Sequence, residues 1–65
     1  MDVVINGEHK TIKGSTLLEL LEELELDPRG VVVEHNRKIV RRAGLAAVAV
    51  AEGDAIELVH FVGGG

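Results

Sequence analysis

Gly14-Ser15-Thr16-Leu17-Leu18-Glu19-Leu20-Leu21-Glu22-Glu23-Leu24 carries the strongest helical pattern in this chain. Thr16 fits the N-cap, and Glu19, three residues on, can reach back to close a capping box. Leu17, Leu21 and Leu24 recur at i, i+4 and i+7 with Leu18 and Leu20 beside them, while Glu22, Glu23 and Glu25 take the opposite face. This spacing predicts an amphipathic helix, leucines inward and glutamates in solvent. Asp27-Pro28-Arg29-Gly30 should end it, because proline lacks a backbone donor and glycine turns freely.

Upstream, Val3 and Ile5 fall on one face of an alternating run and Val4 on the other, and Asn6-Gly7 follows. Asn-Gly between such runs marks a type I′ hairpin, since both turn residues must tolerate positive φ. The return strand is expected from Glu8 to Lys13. Downstream, Val31-Val32-Val33 is β-branched and reads as a strand buried largely on both sides, running to about His35. A polar turn at Asn36-Arg37-Lys38 leads into a short strand at Ile39-Val40. Ala43 to Ala51 is ambiguous: its alanines favour helix, whereas Val48 and Val50 alternate as in a strand. A helical turn at 43–46 and a short strand at 47–50 are expected there. Glu52-Gly53-Asp54 makes a turn, and Ala55 to Phe61 forms the last strand. The order predicts an α+β fold with four to five strands in a mixed sheet, one main helix covering a single face, and the first and last strands parallel in the middle. Leu17, Leu21 and Leu24 should pack on Val3, Ile5, Val33 and Ile56. Residues 1–61 form the domain and 62–65 a flexible glycine tail.

Composition narrows the function. Sixty-five residues make one small domain, which buries roughly 60% of its unfolded surface and has no room for a deep active site. Zero cysteines exclude disulfides, thiolate metal clusters and a cysteine nucleophile. One Phe, with no Trp or Tyr, leaves no base-stacking surface, and a net charge of −4 has the wrong sign for nucleic acid. No apolar run reaches the ~18 residues of a membrane span, and no basic-then-apolar start suggests a signal peptide. A cytoplasmic protein without nucleic-acid or membrane partners is expected.

Catalytic constellations are missing. His9, His35 and His60 lie far apart without metal-ligand spacing and read as surface or sheet-edge residues. Ser15, the single serine, reads as a turn residue. Arg37, Lys38, Arg41 and Arg42 are either a solvated turn or a contact patch for an acidic partner. Neither a metal site nor a bound cofactor is expected. The chain closes on Gly63-Gly64-Gly65, a tail without side chains, able to enter a slot too narrow for any Cβ. From Val62 it can reach about 13 Å at ~3.3 Å per residue. Composition alone leaves two readings open, a carboxylate delivered to another protein's active site or an unimportant loose end.

Taken in order, the motifs resemble the ubiquitin-like β-grasp sulfur carriers, most closely the ThiS family of thiamine biosynthesis. Asn6-Gly7 is similar to the family's first turn and Gly14 to Leu21 to its helix start. Val33-Glu34-His35-Asn36 and Ile39-Val40 resemble the middle strands, Glu52 to Glu57 the last turn and strand, and Phe61 to Gly65 the tail. Two departures are Arg41-Arg42, where the family usually has proline before the arginine, and the plain Ala43–Ala51 segment. The resemblance implies that a ThiF-like, E1-type enzyme uses ATP as its co-substrate to adenylate Gly65. A persulfide supplied through a cysteine desulfurase would then leave a thiocarboxylate for a ThiG-like thiazole synthase. The chain would be a protein co-substrate and not an enzyme.

Three alternatives share parts of this pattern: a MoaD-like or tRNA-thiolation sulfur carrier, a ubiquitin-like protein modifier, and a plain binding module. In the carrier reading Gly63 and Gly64 form the tail, Gly65 is the modified residue, and Val59, Phe61 and Val62 dock the partner. Glu57, Val59 and Phe61 alternate with Ile56, Leu58 and His60, so one set must face away from the helix.

Overall fold

The computed structural model describes residues 1–61. Strand β1 (Asp2–Ile5) turns through Asn6-Gly7 into β2 (Glu8–Thr11), and helix α1 (Leu17–Glu23) crosses over. A 3-10 turn (Pro28–Gly30) precedes β3 (Val31–His35) and β4 (Lys38–Val40). A second 3-10 turn (Arg42–Gly44) and an extended connection lead to β5 (Ala55–His60). The sheet order is β2-β1-β5-β3-β4, with β1 and β5 parallel at its centre and the other pairs antiparallel. This is the expected β-grasp arrangement, a mixed five-stranded sheet with one helix on one face.

Both hairpins turn through two residues in the left-handed region. Asn6 and Gly7 have φ 50° and 82°, and Asn36 and Arg37 have 49° and 73°. These are the signs a type I′ turn demands. Arg37 therefore stands where glycine would carry no steric penalty. The turn contains Asn36 and Arg37 only, because Lys38 already belongs to β4.

Thr16 caps α1 as expected: its hydroxyl accepts the Glu19 N–H, and the Glu19 carboxylate accepts the Thr16 N–H. The buried stripe differs in one member. Leu17, Leu20 and Leu21 are fully buried, whereas Leu24 is half-buried. The helix stops at Glu23, one turn before Pro28, so Leu24 sits at its C-cap. Asp27-Pro28-Arg29-Gly30 does not end the helix but makes its own turn, with the Asp27 side chain accepting the Arg29 N–H. The core beneath is Val3, Ile5, Val33, Ile56 and Leu58 from the strands, with Ile12, Leu45 and Val50 from the connections.

Four further expectations are corrected. β2 ends at Thr11 because the Lys13 and Gly14 N–H groups go to the Glu23 carboxylate, while Ile12 turns into the core. Val31 and Val32 are half-buried, so β3 is fully covered only at Val33. Residues 47–50 form no strand; Thr16 and Ala49 make one isolated bridge, and the Val50 N–H bonds to Ser15 O. These donors are used by the approach to the helix and not by the sheet. The last strand ends at His60, one residue before Phe61.

Candidate functional site

Register decides which side chains the uncovered face presents. Val3, Ile5, Val33, Ile56 and Leu58 point to α1, so their strand neighbours point away. Val59 lies opposite Val32, Glu57 opposite Glu34, and Ile39 on the other side of Glu34. Val59 is 59% exposed, Phe61 64% and Ile39 70%. The expected apolar surface at Val59 and Phe61 is thus present. Ile39 belongs to the same face and was missed, because its sequence shows only a short apolar pair. Beside this surface lies a shallow groove of about 270 Å³ lined by Val4, Gly7, Glu34, Arg37, Ala55, Ile56 and Glu57.

The route to the tail starts from the central strand. The Phe61 N–H donates to Gly30 O at 3.0 Å, which holds the chain beside the start of β3 after β5 ends. Val62, Gly63, Gly64 and Gly65, expected as docking, tail and modified residues, lie outside the described residues.

Polar groups elsewhere hold the scaffold. His35 is not a surface residue: its Nε2 lies 2.7 Å from Asp54 Oδ2, and both side chains are largely covered. Asp54 also accepts the Ala51 N–H and the Asn36 amide, and Asn36 Oδ1 accepts the Ala55 N–H. Burial pushes the Asp54 carboxyl up, but the Ala51 N–H, His35 and Asn36 together outweigh it and hold it below its ordinary value. This cluster pins the β3–β4 turn to the start of β5. His9 and His60 are exposed on their strands. Glu23, expected in solvent, is exposed yet receives the Lys13 and Gly14 amides at 2.9–3.1 Å. Arg37 and Lys38 sit at the hairpin end of β4, and Arg41 and Arg42 follow its other end. Among the described residues no three His, Asp or Glu side chains converge as metal ligands.

Comparison with known proteins agrees with this architecture. The ThiS family model matches residues 3–65. A thiazole synthase of Paramagnetospirillum magneticum is 48% identical over 66 residues, covering 100% of this chain and 20% of that protein. The chain therefore spans about a fifth of the length of the thiazole synthases that it matches. The sulfur carrier protein ThiS of Bacillus subtilis is 40% identical over 50 residues, covering 77% of this chain and 76% of its own. The crystal structure of the thiamine biosynthesis protein ThiS from Geobacter metallireducens superposes with a TM-score of 0.85 at 35% identity, each chain covered over 100%. With the family match running from the first strand through the terminal glycines, and the same fold in a solved relative, this chain belongs to the ThiS family.

Proposed function

We propose that the chain is a sulfur carrier that supplies sulfur for thiazole formation in thiamine biosynthesis. The observation that carries this reading is the full-length similarity to ThiS proteins, extended by thiazole synthases that contain a segment like the whole chain. The domain is a handle: a covered core, an open apolar face, and a strand that ends beside it at the root of the glycine tail.

A carboxylate is a poor electrophile, so a ThiF-like E1-type enzyme joins the Gly65 carboxylate to AMP from ATP and releases pyrophosphate. The outer sulfur of a persulfide, charged by a cysteine desulfurase, attacks the acyl carbon and AMP leaves. A thiol then breaks the sulfur–sulfur bond, forming a disulfide and freeing the thiocarboxylate. The nucleophile belongs to the partner, which suits a carrier without cysteine. A ThiG-like thiazole synthase accepts the sulfur. Val59, Phe61 and Val62 dock the partner, Gly63 and Gly64 pass a slot too narrow for side chains, and the chain itself catalyses nothing and holds no cofactor. ATP-dependent activation places the cycle in the cytoplasm. No described helix is long and apolar enough to cross a membrane.

The test incubates the chain with ATP, the adenylating enzyme of its own genome and a sulfide source, then weighs the intact protein. The expected product is heavier by the difference between one sulfur and one oxygen. Deleting Gly65, or Gly64→Val, should abolish that product without lowering the melting temperature. A native chain that instead becomes linked to lysines of other proteins would show a modifier and overturn the carrier reading.

A further inference from the structure

β1 ends at Ile5, so farther along that side β5 has no strand residue to pair with. The Asn6 side chain fills the place: its Oδ1 accepts the Leu58 N–H at 2.8 Å, while the Asn6 N–H donates to Ile56 O at 2.9 Å. The same dipeptide holds a reactive pair, because the Gly7 nitrogen can close a succinimide ring on the Asn6 amide carbon, Cγ. Asn6 and Gly7 are both exposed, and a Cβ on Gly7 would meet nothing within 4 Å, so no side chain shields this peptide group. Among the described residues neither the Gly7 N–H nor the Asn6 Nδ2 makes a hydrogen bond, which leaves nucleophile and leaving group both unheld. Asn36 is the contrast. Its Nδ2 donates to Asp54, its Oδ1 accepts the Ala55 N–H, and an arginine follows it instead of a glycine.

We propose that Asn6 is a modification site, deamidated by its own backbone and water, and that opening of the β1–β2 turn gates the reaction. The Gly7 nitrogen gives its proton to solvent hydroxide and bonds to Asn6 Cγ; the Cγ–Nδ2 bond breaks, and ammonia leaves with a proton from water. Water then opens the ring without any change of oxidation state. Cleavage of the Cγ–N bond leaves aspartate, whereas cleavage at the former main-chain carbonyl leaves isoaspartate. Ring closure needs Asn6, at φ 50°, to rotate out of the type I′ turn and its Oδ1 to leave Leu58, so it proceeds from a locally opened hairpin end. Aspartate keeps an oxygen where Oδ1 stood. Isoaspartate routes the main chain through Cβ and Cγ, adds a carbon to a two-residue turn, and takes the acceptor from the Leu58 N–H. That donor is then left without its partner, and the hairpin end no longer closes on β5. This goes beyond the carrier reading and does not depend on it.

The experiment incubates the full chain in mildly alkaline buffer and follows its intact and fragment masses. A free peptide spanning residues 3–10 and the full chain in urea serve as parallel arms. Each conversion adds the mass difference between a hydroxyl and an amino group. Conversion should fall on Asn6 alone, about ten-fold or more slower in the folded chain than in the peptide, and urea should close the gap. The isoaspartyl chain, separated by chromatography, should melt below wild type, whereas Asn6→Asp should melt close to it. Conversion of Asn36 at an equal rate, or a folded chain left intact beside a fully converted peptide, overturns Asn6 as the site. Equal rates in folded chain and peptide overturn the gate. An isoaspartyl chain that melts with wild type overturns the loss of the Leu58 contact. Asn6→Asp melting as low as the isoaspartyl form would assign the effect to charge and overturn the lengthened turn as its cause.

Discussion

Glu23 reaches from α1 to the backbone amides of Lys13 and Gly14 and so fastens the end of the hairpin to the helix. The Gly14 and Lys13 N–H groups favour its charged form and hold its carboxyl below the ordinary 4.5. Glu19 is lowered in the same direction by the backbone and side chain of Ser15, then by the Thr16 amide. Asp27, bonded to the Arg29 side chain and amide, falls from 3.8 to about 2. A carboxyl with a lowered folded value contributes its stability above the unfolded value and loses it as pH falls through the folded one. The domain should therefore lose stability progressively from about pH 5 toward about pH 2. Glu23→Gln should melt lower at neutral pH and show a shallower acid decline. A pH profile of melting temperature identical to wild type would remove Glu23 from this account.

At the scale of the element, α1 has seven residues, well short of the ~12–15 at which isolated helices become marginal in water. Its capping box and its leucine face must hold it. Leu20→Ala or Leu21→Ala should cost roughly 2–5 kcal/mol, since both are fully buried, and Leu24→Ala less, because the C-cap position is only half-covered. Urea titration of the three variants checks the ranking, and equal losses would contradict the observed helix facing. The helix start also fixes its neighbour. A Cβ on Gly14 would lie 2.8 Å from Glu19 Cβ and 3.1 Å from the Glu19 carbonyl carbon. Gly14→Ala must push the loop from the first turn, and its melting temperature should fall clearly below wild type.

Across the whole molecule, a single helix leaves one sheet face open, and the central strand β5 delivers the chain to its edge at Phe61. Phe61→Asp places charge on a side chain that is 64% exposed, so stability should stay within about 0.5 kcal/mol of wild type. In the proposed carrier role the same change should weaken binding to the adenylating enzyme, measured by calorimetry. Unchanged affinity would take Phe61 out of the docking surface. The two ends of this face differ in character, with Val59 and Phe61 toward the tail and Glu34, Glu57 and Arg37 around the groove. Mutations at the two ends should separate on salt dependence, because apolar burial is insensitive to the screening that weakens charge pairs.

The hairpin at Asn6-Gly7, the capping box at Thr16 and Glu19, and the leucine face of α1 were legible from residues alone. Each is a local device, set by φ preference, by hydrogen bonds three residues apart, or by helical periodicity. The exposure of Val59 and Phe61 was legible for the same reason, through strand alternation. In residues 43–51 the expected helical turn overlaps the 3-10 turn Arg42–Gly44, but the expected strand at 47–50 was misread: its alanines bias it weakly, and the Leu45 and Val48 carbonyls and the Val50 amide find partners at the helix start. His35 looked isolated because Asp54, its partner, is nineteen positions away. The opposition of Glu34 and Glu57, and the arrival of Ile39 beside them, depend on register between strands distant in the chain. Period and propensity act along a few residues, whereas register follows from the side-chain packing of the whole core, and only the tertiary structure decides it.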